Sequence, residues 1–222
     1  MTLKEKLDSL TEENKNRIPA QAASAMRDAQ EILMRSGIQT RALKSGDPAK
    51  DFSLPNANGQ SVSLSALLRD GPAVISFYRG GWCPYCNLTL RALQEALPSI
   101  EEAGAQLIAI SPQLPDASLT TAEKNELGFA ILSDSDNKVA KSYGIAFSLP
   151  KSISEIYKSF GIDLQKSNGT GEDELPLAAT FIVGTDARIR YAYVDTDYTK
   201  RMEPSDIVSI LKQLRCESAP AR

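Results

Sequence analysis

The chain has 222 residues, 25 Lys and Arg against 28 Asp and Glu, a net charge of −3 and no histidine. That charge argues against a nucleic-acid binder, whose footprint is a basic patch, and no stretch approaches the ~18 apolar residues that a membrane-spanning helix needs. The absent histidine excludes Ser-His-Asp and Cys-His catalysis and any imidazole-ligated metal, leaving acid–base work to Asp, Glu, Lys, Tyr or Cys.

In chain order, residues 1–45 read as helical. Leu3, Leu7 and Leu10 fall on one face, as do Ala22, Met26, Ala29 and Leu33, with a break at Pro19. The pair is expected to pack on its own domain or on a second subunit, so a homodimer is open. The N-terminus has no apolar h-region of the secretory kind, so a cytoplasmic location is expected. From Gly46-Asp47-Pro48 the texture changes. Phe52, Leu54, Val62 and Leu64 flank Asn58-Gly59, a β-hairpin signal, and a short helix follows near Ser65–Arg69.

Ala73–Tyr78 is a short apolar run of buried-strand type. After Gly80-Gly81 come Trp82-Cys83-Pro84-Tyr85-Cys86, then a helix marked by Leu88, Leu90, Leu93 and Leu97. Gln106–Ser111 reads as a second buried strand, which makes a βαβ unit with parallel strands. A polar helix is predicted around Ser118–Leu127 and a strand at Ala130–Leu132. Within 144–176 the pattern gives a short helix near Ile153–Phe160 and a polar loop over 167–173. Ala179–Val183 and Ile189–Val194 form an antiparallel hairpin, and Ser205–Leu214 closes the chain as an amphipathic helix.

The chemistry concentrates at Cys83-Pro84-Tyr85-Cys86. A C-x-x-C that leaves a strand and opens a helix, inside a βαβ unit, reads as a thioredoxin-like redox site. Pro84 suits the first helical turn, where its missing N–H costs nothing. Free backbone N–H groups and the positive helix end favour a thiolate there. The second sulfur, one turn on, can close a disulfide with the first. A zinc site would need two further ligands, and Cys216 is the sole remaining cysteine. No metal or organic cofactor is implied.

The segment Phe77-Tyr78-Arg79-Gly80-Gly81-Trp82-Cys83-Pro84-Tyr85-Cys86 resembles the active-site segment of peroxiredoxins. With Gly46–Pro55, Ala109-Ile110-Ser111-Pro112-Gln113 and Thr180-Phe181-Ile182-Val183, it places the chain near the peroxiredoxin-like branch of the alkyl hydroperoxide reductase and thiol-specific antioxidant superfamily, over about residues 46–214. The resemblance implies an α/β thioredoxin-like fold: a central mixed sheet flanked by helices, with an N-terminal β-hairpin. Residues 1–45 would be an added helical segment and 46–222 the thioredoxin-like domain. It also implies a thiol-dependent peroxidase acting on hydrogen peroxide or an organic hydroperoxide. Cys86 then aligns with the attacking cysteine and Cys83 supplies the disulfide partner. A thioredoxin- or glutaredoxin-type dithiol would re-reduce the pair.

Two departures stand out. Cys83 occupies the place of the family's Thr, and Ala178-Ala179 stand where an arginine precedes the late strand. Arg79 is the proposed substitute, able to favour a thiolate and orient a peroxide, or else a plain surface arginine. Trp82 and Tyr85 are the expected apolar wall over the sulfurs. Two alternatives stay open on the same four residues: a protein disulfide reductase with Cys83 as nucleophile, and a non-catalytic redox sensor.

Overall fold

A computed structural model describes residues 1–218. The chain opens with helices α1 (Leu3–Arg17), α2 (Ala20–Arg35) and α3 (Ile38–Arg41), then the hairpin strands β1 (Ser53–Pro55) and β2 (Ser61–Ser63), α4 (Leu64–Asp70), β3 (Ala73–Phe77), α5 (Pro84–Glu102) and β4 (Gln106–Ser111). There follow α6 (Pro115–Lys124), β5 (Ala130–Ser133), α7 (Lys138–Ser142), β6 (Ala146–Ser148), α8 (Lys151–Ser159), α9 (Leu164–Asn168) and β7 (Glu174–Pro176). The last elements are β8 (Ala179–Val183), β9 (Ile189–Val194) and α10 (Pro204–Ser218).

The central sheet has the order β5-β4-β3-β8-β9, with β3, β4 and β5 parallel and β8 and β9 antiparallel to their inner neighbours. All five residues of β3 are buried, because helices cover both faces of the sheet. Period-two alternation sorts them: Ala73, Ile75 and Phe77 enter one core, Val74 the other. Strand β4 divides the same way, with Ile108 and Ile110 on the first side and Leu107 and Ala109 on the second. Helices α1, α5 and α10 pack over the second side.

The N-terminal pair forms as the periodicity predicts. Thr2 and Glu5 close a capping box at α1, and Pro19 takes the cap position of α2. Leu3 and Leu7 are buried in the core shared with α5, so α1 covers its own chain. Gly59, with φ +77°, supplies the left-handed turn residue of the β1–β2 hairpin.

Several elements depart from the sequence reading. The polar loop expected over 167–173 begins inside α9, whose start is capped by the Asp163 side chain accepting from the Lys166 N–H. Helix α6 starts three residues before Ser118, since Pro115 sits well in a first turn. Helix α3 falls within the helical reading of residues 1–45, whereas α7 and the pair β6–β7 carry no sequence prediction; each is five residues or fewer, too short for a periodic signal. Among the described residues, no helix is long and apolar enough to cross a membrane.

Candidate active site

Strand β3 lies at the middle of the sheet, and the chain leaving its C-terminal end turns into α5. Tyr78 still donates its N–H to Ile110 O at 2.9 Å, extending the β3–β4 pairing by one residue. The next four residues must reverse direction in little space. Gly80 has φ +148°, and a Cβ there would collide with the Trp82 indole. A Cβ at Gly81 would collide with the Thr121 hydroxyl. The Gly81 N–H donates to Gln113 Oε1 at 2.6 Å, and Gly81 O accepts from Asn87 Nδ2 at 2.8 Å. The turn is thus pinned from α5 and from the loop after β4.

Cys83 caps α5, Pro84 holds its first position, and Cys86 lies in the first turn with Asn87 N–H closing on Cys83 O at 3.1 Å. Both cysteines are buried, at 2% and 0% exposure, and Cys216 is exposed on α10. The sequence-predicted residues Arg79, Trp82, Cys83 and Tyr85 all line one cavity; Cys86 lies behind it and does not. Tyr85 is held by α1, its hydroxyl accepting from Asn14 Nδ2 at 3.1 Å and Thr11 Oγ1 at 3.3 Å.

Arg79 is no surface arginine. It is 4% exposed, with its guanidinium carbon 4.8 to 5.6 Å from the ring centroids of Tyr198, Trp82 and Tyr157. Its Nη2 donates to the Tyr157 hydroxyl, and its Nε has no partner. Burial pushes the Tyr198 hydroxyl up to about 12, although the Arg79 charge pulls the other way.

A second arginine completes the site. Arg201, in the segment between β9 and α10, donates Nη2–H to Cys86 Sγ at 3.4 Å. Its Nη1 is anchored by the carbonyls of Tyr198 and Lys200, both at 2.6 Å. Burial alone would push the Cys86 thiol up. The hydrogen bond from the Cys83 thiol, the Arg201 charge, the Arg79 backbone N–H and the Arg79 charge overturn that and hold Cys86 well below the ordinary thiol range. Cys83 moves the other way, because its proton is shared with Cys86, it is buried, and it faces the Cys86 charge. Of the two sulfurs, Cys86 is the one whose surroundings favour the thiolate.

Sequence reasoning missed Arg201, Tyr157 and Tyr198. Arg201 lies 115 residues from Cys86 in a polar stretch with no motif, so only the closed fold reveals the contact. Among the described residues, no group of three or more His, Cys, Asp or Glu side chains converges as metal ligands would.

Comparison with known proteins finds relatives of this chain. A Bcp peroxiredoxin of Escherichia coli is 32% identical over 103 residues, 46% of this chain and 65% of the relative. A chloroplastic peroxiredoxin Q of Sedum lineare is 30% identical over 123 residues, 55% of this chain and again 65% of the relative. The chain thus spans about two thirds or less of the curated relatives it matches. In three dimensions it is similar to peroxidoxin BcpB from Mycobacterium tuberculosis, with a TM-score of 0.62, 23% identity, and coverage of 78% of this chain and 98% of that one. The AhpC/TSA family pattern matches residues 45–192, from the entry to the β1–β2 hairpin through most of β9. A match over well more than half of the chain makes this protein a member of the AhpC/TSA family.

Proposed function

We propose that this chain is a thiol-dependent peroxidase in which Cys86 attacks and Cys83 resolves. The observation that carries the reading is the Cys86 sulfur, held between the Cys83 thiol and the Arg201 guanidinium. The Cys86 thiolate displaces RO⁻ from a hydroperoxide ROOH, which takes a proton and leaves as ROH. Cys86 becomes a sulfenic acid. The Cys83 sulfur then attacks that sulfur, water leaves, and a Cys83–Cys86 disulfide forms. Cys83 caps α5 and Cys86 lies in its first turn, so no large rearrangement separates the two sulfurs. An external dithiol of thioredoxin or glutaredoxin type reduces the disulfide by two exchange steps. Cys83 faces the cavity, so it is the sulfur such a donor meets. Cys86 is then the leaving thiolate, and its low pKa suits it to leave. Residues 1–45 serve as a helical addition to a thioredoxin-like domain over 46–222, with Tyr85 tied to α1.

One observation favours a second reading. Cys83 lines the cavity and Cys86 does not, which suits a protein disulfide reductase with Cys83 as nucleophile. Stopped-flow fluorescence separates the two. Trp82 is the sole tryptophan and adjoins Cys83, so its emission reports sulfur chemistry. Reduced wild type, Cys83→Ser and Cys86→Ser are each mixed with a hydroperoxide. Oxidation far faster than that of a free thiol, kept in Cys83→Ser and lost in Cys86→Ser, is the expected result. A rate no better than that of a free thiol refutes the peroxidase and leaves disulfide exchange through Cys83.

A further inference from the structure

We propose that helix α2 completes an apolar substrate cleft that selects bulky organic hydroperoxides over hydrogen peroxide, with Arg79 holding the peroxide end. The inference rests on the peroxidase reading above and names its substrate class. Helix α2 lies outside the residues 45–192 that the family pattern matches, so this wall belongs to the chain's own N-terminal addition. Met26, Ala29 and Leu33 of α2 line a cavity of about 350 Å³ together with Phe147, Leu149 and Ile153 of the β6–α8 segment. That volume falls within the range of small-molecule sites, which are mostly apolar with a few placed polar groups.

The cleft shares a wall with the cavity at the sulfur site. Arg79, Tyr157 and Tyr198 line both this cavity and the one that reaches Cys83. Arg79 is the polar group placed at the junction. It is 96% buried, makes no ion pair with a carboxylate among the described residues, and leaves its Nε–H without a partner. Its electrostatic neighbours are the Tyr157 hydroxyl and the two sulfurs. A buried donor without an acceptor is costly. A peroxide oxygen supplies the acceptor and is brought to the sulfurs by the same contact. The organic group of the substrate then lies along the α2 wall. Hydrogen peroxide has no such group and gains nothing from it.

The test uses single-turnover oxidation of the reduced full chain, followed by Trp82 emission. Second-order rate constants are compared for cumene hydroperoxide and hydrogen peroxide in wild type and in Ala29→Phe, which fills the cleft from the α2 side. Wild type should favour cumene hydroperoxide, and the ratio of the two constants should fall at least ~10-fold in A29F, since filling or vacating a hydrophobic pocket commonly changes discrimination by that much. A wild-type ratio at or below one, or a ratio unchanged in A29F, overturns the cleft. A second measurement is independent of turnover. The product alcohol, 2-phenyl-2-propanol, should quench or shift Trp82 emission, because Trp82 packs at a tilt against Tyr157, which lines the cleft, with ring centroids 5.5 Å apart. Absence of any binding in wild type also overturns the cleft. If neither peroxide reacts faster than with a free thiol while the alcohol binds and A29F abolishes binding, the peroxidase reading falls and the cleft stands.

Discussion

Arg201→Met removes a charged donor to Cys86 and keeps an apolar chain of similar length in its place. The Nη2 to Sγ distance is 3.4 Å, and Nη1 is fixed by two backbone carbonyls, so the contact is built and not incidental. A hydrogen bond from a charged group contributes about 1.5–3 kcal/mol. At ~1.4 kcal/mol per pKa unit, its loss should raise the apparent pKa of Cys86 by about 1–2 units. Burial, which already opposes the thiolate, is unchanged by the methionine. The sign is fixed: Cys86 reacts as thiolate, so its acid limb moves to higher pH, and below both pKa values the rate falls roughly 10- to 100-fold. The assay is the pH dependence of Cys86 alkylation by iodoacetamide, read by mass spectrometry in a Cys216→Ser background so that the exposed thiol on α10 does not compete. Arg201→Lys should restore part of the shift only, because an ammonium lacks the fork that holds both carbonyls and the sulfur. Coincident profiles for wild type and Arg201→Met would refute the reasoning.

Further outcomes follow from other contacts. Cys83→Ala should raise the Cys86 pKa, whereas Cys83→Ser, which keeps a donor, should raise it less; the same alkylation profiles decide this. Gly81→Ala should destabilise the reduced protein by about 1–3 kcal/mol, as overpacking does, because its new methyl meets the Thr121 hydroxyl; the double variant Gly81→Ala/Thr121→Ala should recover much of that in denaturant melts. Leu7→Ala should cost about 2–5 kcal/mol, independently of protein concentration, since Leu7 is buried against its own chain. A concentration-dependent loss would instead place α1 on a second subunit.

The fold was legible where periodicity or turn chemistry was strong. Ala73–Tyr78 and Gln106–Ser111 read as buried strands because both faces of the sheet are covered, and their parallel pairing follows from the βαβ spacing. Asn58-Gly59 marked the hairpin through its left-handed glycine. Strands β6 and β7, three residues each, pair across a gap that no local pattern signals. In the site, residues local to the motif were legible: Arg79, Trp82, Cys83 and Tyr85, all named from the Phe77–Cys86 segment, line one cavity. Tyr157, Tyr198 and Arg201 were not, since each reaches the site from another element, the two tyrosines at the cavity and Arg201 at Cys86. Arg201 reaches Cys86 from beyond β9, a contact visible only in three dimensions.

In the proposed peroxidase cycle, Cys86 is the sulfur oxidised first. The most direct measurement treats reduced Cys83→Ser with one equivalent of hydroperoxide in the presence of dimedone and maps the adduct by peptide mass spectrometry. A dimedone adduct on Cys86 is expected, formed far faster than on the exposed Cys216 of the same molecule. An adduct confined to Cys216, together with trapping of Cys83 in Cys86→Ser, would contradict it and transfer the attack to the sulfur that faces the cavity.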